Sequence, residues 1–403
     1  MFIPVLIAIL CGICAGIVTG LIPGIHINLV SILLVGLSGW FLGFTHPLVL
    51  GVFIIAMAVT HTFLDSIPSI FLGAPDADMV LGVLPGHKLL LEGKGYEAVK
   101  LTTIGSLLCL VLVIAIIPIM IPFVPKIYEF IQPYIGWILI FVVVFMVLKE
   151  QGAYGKVWGF AIVLLSGVLG MIVLNWPNLE QPLFPMLSGL FGVSTLITSL
   201  SNNSKVPKQH ITETIVVSGK NKTKALGAAV FSGSLTGMFP GLGSAQAAIL
   251  STQIVGDIGN HAFLILVGGI NTVNFVFSLV TLYTLQKARN GAIVAVLEIL
   301  KNISINELIV FLCAGLIAGG IATFLAMYIT RGFSKLINKI NYRKLCLSII
   351  GLISLLVAYF SGVVGILVLI VSTGVGIVPA LIGVKRSNAM GCLLLPVILY
   401  FIL

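Results

Sequence analysis

Charge is what this sequence has least of. Charged side chains fill 8% of its 403 positions and hydrophobic ones 59%, which leaves too little polarity to coat a water-soluble surface. Polar stretches are equally scarce, and the one lysine-rich segment, residues 201–224, stands between two apolar halves. Other absences exclude classes of function. Without a Walker A loop, ATP hydrolysis by this chain is not expected. No spacing of His, Cys, Asp or Glu matches a metal site, and no catalytic constellation stands out, so no enzymatic reaction, metal or organic cofactor is predicted. The short alternating segments of an outer-membrane barrel are missing too. The net charge of +9 would suggest nucleic acid in a soluble domain. Here the basic residues fall in short loops between apolar runs, which points to membrane orientation and not to nucleic acid.

The six cysteines, Cys11, Cys14, Cys109, Cys313, Cys346 and Cys392, all lie in apolar segments. There they behave as small hydrophobes, and no disulfide framework is expected. Cys11 and Cys14 have the spacing of a redox pair but not its βαβ surroundings, so they read as packing residues.

What the sequence does have is apolar length. Residues 2–21, 101–120, 134–148 and 308–330 approach or exceed the roughly 20 residues that cross a bilayer as helix. In hydrocarbon every backbone polar group must be satisfied within the segment, so the expected fold is all-α and the chain a multi-pass protein of the cell membrane. The first run has neither a preceding basic residue nor a small-residue cleavage site, and reads as a retained span.

A weak internal repeat divides these runs. Gly12-Ile13-Cys14-Ala15-Gly16-Ile17-Val18-Thr19-Gly20-Leu21-Ile22-Pro23-Gly24 is echoed by Gly233-Ser234-Leu235-Thr236-Gly237-Met238-Phe239-Pro240-Gly241. Each copy is a glycine-rich helix broken by Pro-Gly. A run too short for a span follows each break, at 29–44 and 247–255, so each copy reads as a broken-helix hairpin. Longer segments at 48–59 and 262–285, amphipathic pieces at 88–98 and 287–300, and four further apolar segments complete each half in matching order. Those four are 101–124, 134–148, 157–174 and 184–200 in the first half, and 308–330, 345–360, 363–382 and 389–403 in the second. An odd number of crossings per half makes the halves inverted repeats. The expected organisation is therefore 1–200 as the first repeat, 201–224 as a cytoplasmic basic linker and 225–403 as the second repeat. Placing both termini outside leaves only Lys126, Lys287, Arg289 and Lys301, of 21 basic residues, on the outer face.

Proline removes a backbone donor and glycine permits the turn, so each break frees backbone groups at membrane depth. In discontinuous transporter helices the N-terminus of the second half-helix points its N–H groups and positive dipole end at an anion. Candidate binding residues are Pro23, Gly24, His26 and Asn28 in the first loop and Pro240, Gly241, Gly243, Ser244 and Gln246 in the second; simple helix kinks are the plain alternative. Asp65, with His61 four residues earlier on the same helix face, is a candidate coupling pair for H+ or Na+; hydration of both at the membrane interface is the competing reading. Asn271, Thr272 and Asn274 fall at the corresponding place in the second half, as site residues or as interhelical hydrogen-bonding groups. His46, His87, His210 and His261 read as ordinary solvated residues near loops.

With both Pro-Gly elements in place, the sequence resembles the large membrane subunit of the tripartite tricarboxylate transporters over most of its length. The likeness rests on Gly16 to Gly24, on Gly237-Met238-Phe239-Pro240-Gly241-Leu242-Gly243, and on Leu72-Gly73-Ala74-Pro75 leading to Gly86-His87-Lys88-Leu89-Leu90-Leu91-Glu92-Gly93-Lys94-Gly95-Tyr96-Glu97-Ala98. The resemblance implies a secondary transporter for a citrate-like di- or tricarboxylate bound at Pro23, Gly24, Pro240, Gly241, Gly243 and Ser244, working with a small membrane subunit and a periplasmic-type binding protein. The first loop departs from the expected glycine- or hydroxyl-rich continuation, reading Ile25-His26-Ile27-Asn28. Paired Pro-Gly loops also suit a translocase of polyprenyl-phosphate lipid carriers, whose phosphate an anion-binding half-helix would hold equally well.

Overall fold

The computed structural model describes the chain except for residues 23–26, 28–29, 32–33, 35–37, 74–78, 80, 82, 202–206, 212–213, 240–242, 338–341 and 403. The first Pro-Gly loop with His26 and Asn28, and Pro240 with Gly241, therefore lie outside the described residues. Among the described residues all regular structure is helical, and eight helices are long and apolar enough to cross a membrane. They are α1 (Phe2–Leu21), α2 (Pro47–Phe71), α4 (Gly95–Met120), α5 (Val124–Leu148), α6 (Gly152–Leu174), α10 (Gly259–Leu285), α12 (Ile305–Ile337) and α13 (Cys346–Ile382). Shorter helices lie between them: α3 (Val83–Leu91), α7 (Leu183–Thr198), α8 (Gly219–Met238), α9 (Ser244–Val255), α11 (Gly291–Leu300) and α14 (Arg386–Ile402).

Two spans form the centre. The apolar windows of α2 and α10 are 83% and 89% buried inside the protein, against 28–44% for the other six, which turn most of their apolar residues outward. Such close burial needs small residues, since side-chain packing and not hydrophobicity joins helices in a membrane. Gly16 of α1 sits so close to α2 that a Cβ there would come within 2.6 Å of the Met57 carbonyl oxygen. On α8, a Cβ at Gly237 would come within 2.9 Å of the Asn274 carbonyl oxygen on α10. Where α4 crosses α10, Ser106 Oγ donates to the Gly268 carbonyl oxygen at 3.0 Å.

The helix interruptions have local causes. Pro68 offers no N–H to the turn before it, and α2 loosens at Asp65. The stretch read as two segments, 345–360 and 363–382, is continuous apart from Gly362, whose φ of +62° turns the backbone out of the helix. Gly93, at φ +83°, ends α3, so that Gly95 to Ala98 open the long helix α4 and do not belong to an amphipathic piece. α8 and α9 lie side by side, with Ser251 Oγ donating to Ser232 Oγ at 2.7 Å and Asn221 Nδ2 to the Ile258 carbonyl at 3.2 Å. Their pairing is antiparallel.

Part of the lysine-rich segment is anchored. Gln209 is buried, donates to the Leu90 carbonyl at 2.9 Å and accepts from the Gly95 N–H at 2.8 Å. His210 is exposed, as expected. Another histidine corrects the sequence reading. His87 is buried with Nδ1 3.3 Å from the Ile70 carbonyl oxygen, because α3 folds back onto α2. His261, about a third exposed, lies 2.7 Å from Glu97 Oε1, a side-chain contact between α10 and α4.

Candidate functional site

The polar residues that lipid should reject converge at the contact of α2 and α10. Asn271 Nδ2 donates to Asp65 Oδ2 at 2.6 Å, and both residues are 2% exposed. This burial removes hydration at a membrane interface as the explanation for Asp65. A carboxylate so placed costs on the order of 3 kcal/mol unless compensated, and a short bond to an amide donor is one compensation. One turn away, the hydroxyls of Thr62 and Thr272 are 3.2 Å apart. On the α1 side, His61 Nδ1 lies 3.2 Å from Thr19 Oγ1. The Thr19 hydroxyl also lies 3.3 Å from the Gly16 carbonyl oxygen, so it bridges the imidazole and the α1 backbone.

The start of α9 reaches the same cluster. Asn274, three residues beyond Asn271 and on the same face of α10, has its Nδ2 3.4 Å from Ser244 Oγ at the first turn of α9. Gln246 Oε1 accepts from the Gly243 N–H at 3.0 Å, half of a capping box, since glycine has no side chain to return the bond. Ser244 and Gln246 are both buried. The positive dipole end of a twelve-residue helix thus opens beside Asn274. Of the expected site residues, the structure joins Asp65 to Asn271 and Ser244 to Asn274, and sets His61 on Thr19, a partner that had no signal beyond its place in the glycine-rich motif.

Two cavities are lined by basic residues outside this cluster. One, of about 460 Å³, is lined by Ala248, Thr252 and Gln253 of α9 together with Lys88, Lys385 and Arg386. Arg386 is fixed by hydrogen bonds to Thr195 and Thr198, and the Lys385 N–H donates to Glu150 Oε1 at 3.2 Å. The other, of about 600 Å³, is lined by Tyr128, Gln132, Lys287, Arg289 and Tyr400. Met146, Phe263 and Ser387 line the first, near the end of α5 and the starts of α10 and α14. The second is lined at the opposite ends of these helices. With a rise of about 1.5 Å per residue, the length of α10 separates the two cavities by roughly the thickness of a bilayer.

A family model described as the tripartite tricarboxylate transporter TctA family matches residues 6–391. The chain is also 30% identical over 363 residues to an uncharacterized protein of Methanocaldococcus jannaschii, covering 87% of this chain and 88% of the relative. No solved structure matches the chain.

Proposed function

Because the chain belongs to the tripartite tricarboxylate transporter TctA family, we propose that it is an ion-coupled secondary transporter carrying an organic anion, a di- or tricarboxylate, across the cell membrane by alternating access. The observation that carries this reading is the buried Asp65–Asn271 pair beside the N-terminus of α9. An anion at that N-terminus is attracted by the helix dipole and repelled by an ionised Asp65. A proton or sodium ion on Asp65 removes the repulsion, so the cation and the anion strengthen each other's binding by the same factor. Binding needs no buried lysine here, and backbone donors release the anion as readily as they hold it.

The packing of the two halves supports inverted repeats. Gly16 meets Met57 and Thr60, and Gly20 meets His61 and Leu64; in the same register Gly233 meets Ile270 and Val273, and Gly237 meets Asn274 and Phe277. His61 and Asn274 are thus equivalent positions, with His61 touching Thr19 and Asn274 touching Ser244. Movement of one repeat against the other around this midplane cluster would expose it to the two sides in turn. The word tripartite implies a small membrane subunit and an external binding protein as partners.

A binding screen on the purified full-length protein tests the proposal. Citrate-like acids should bind, more tightly with sodium or at lower pH. Preferential binding of short-chain polyprenyl phosphates would assign the chain to lipid-carrier translocation instead.

A further inference from the structure

The reading above leaves unexplained why Lys287 and Arg289 stand where they do. Basic residues on the outer face run against the positive-inside bias, and two of only four placed there line one cavity. Both turn onto one aromatic ring. Lys287 Nζ lies 3.3 Å from the Tyr128 hydroxyl and 4.6 Å from the ring centroid, and the Arg289 guanidinium carbon lies 5.3 Å from the same centroid. Two cations held to one ring repel each other unless a negative group joins them. Among the described residues no carboxylate is within ion-pairing distance of either. Moreover, Nε and Nη2 of Arg289 are buried without a hydrogen-bond acceptor. Leaving charged donors unsatisfied is costly, and the planar fork they form is the shape that grips a carboxylate with two parallel bonds.

From these observations we infer that the cavity between Tyr128, Gln132, Lys287 and Arg289 is an outer anion site, which holds a carboxylate of the substrate before it reaches the central cluster. The inference rests on the reading of the chain as an organic-anion carrier. The cavity of about 600 Å³ admits a citrate-sized molecule. Its connection to the central site is direct in the sequence of contacts: the Tyr128 ring stacks on Phe239, with centroids 5.1 Å apart and planes at 16°, and Phe239 immediately precedes Pro240 and Gly241. An anion that draws Lys287 and Arg289 together over Tyr128 therefore acts on the ring stacked against Phe239. The cavity at the other ends of the same helices, with Lys88, Lys385 and Arg386, offers the matching exit.

The test is citrate binding stoichiometry, measured calorimetrically on full-length protein in nanodiscs of uncharged lipid, for wild type and for the Lys287→Gln, Arg289→Gln double variant. The wild type should bind two citrates per chain and the folded double variant one, with at least a tenfold rise in the KM for uptake from the outside in proteoliposomes. Phenylglyoxal labelling of Arg289 in the wild type, read by mass spectrometry, gives a second measure independent of the variant's folding: citrate should protect it. One citrate per chain in both proteins, with Arg289 unprotected, would overturn the outer site while leaving the transporter reading intact. Protection by lipids with a phosphate headgroup and not by citrate would also overturn it, by making the cavity a lipid site. No citrate binding in either protein would instead sink the carrier reading on which the inference rests.

Discussion

Asn271 of α10 hands a 2.6 Å hydrogen bond to Asp65 of α2, joining two buried residues more than 200 positions apart in the chain. Replacing the donor leaves a buried carboxylate oxygen without it. Asn271→Ala should therefore lower stability by about 1–3 kcal/mol, seen as a lower midpoint in thermal unfolding of the detergent-solubilised protein. Asn271→Asp should lower it further, because two carboxylates would then face each other. An unchanged midpoint in both variants would show that the bond does not matter to the fold.

The two glycine seams make a paired prediction. At Gly20 a Cβ would meet the Leu64 Cβ at 2.9 Å, and at Gly237 the Asn274 carbonyl oxygen at the same distance. Gly20→Val and Gly237→Val should each cost about 1–3 kcal/mol by overpacking, with similar losses if the seams are equivalent halves of a repeat. A Gly219→Val control, where no neighbour lies within 4 Å, should unfold close to wild type.

Much of this architecture is legible in the sequence, because apolar length reports directly on lipid contact. The spans and the interruption at Gly362 follow from runs and their breaks, and Asp65 stands out as a carboxylate beside an apolar run. The partners of these residues do not follow, since a hydrogen bond between α2 and α10 depends on rotation about two helix axes. Lys287 and Arg289 look like ordinary loop cations until Tyr128, far earlier in the chain, is placed beneath them. Gln209 is hidden for the opposite reason: polarity marks its segment as linker, yet its amide is buried against the turn at Leu90 and Gly95. His87 is misjudged because proximity to a loop in sequence is not exposure to water.

Acid should loosen the α3 contact. Burial holds the His87 imidazole below its ordinary value of 6.5, against the raising effect of the Ile70 carbonyl, and the charge of Arg386 lowers it further. The unfolded chain therefore takes up this proton first as pH falls. The contribution of His87 is fully present above pH 6.5 and is lost progressively below it. Thermal midpoints measured from pH 7.5 down to 5.5 should fall less steeply for His87→Gln than for wild type. Parallel slopes would contradict the assignment.

Orientation can be read with single cysteines in a cysteine-free background. Lys220→Cys, at the exposed start of α8, should resist a membrane-impermeant maleimide added to intact cells, whereas Lys126→Cys should react. Labelling in the reverse pattern would invert the topology.

The coupling role of Asp65 is the claim on which the account turns, and citrate affinity of wild type and Asp65→Asn, titrated with sodium and with pH, tests it most directly. Wild-type affinity should rise by roughly 5- to 150-fold as the coupling ion saturates. Folded Asp65→Asn should bind citrate with an affinity near the saturated wild-type value and change it by less than about twofold over the same titrations, since the amide supplies no charge to neutralise. An Asp65→Asn protein that keeps the full sodium or pH dependence would contradict the account.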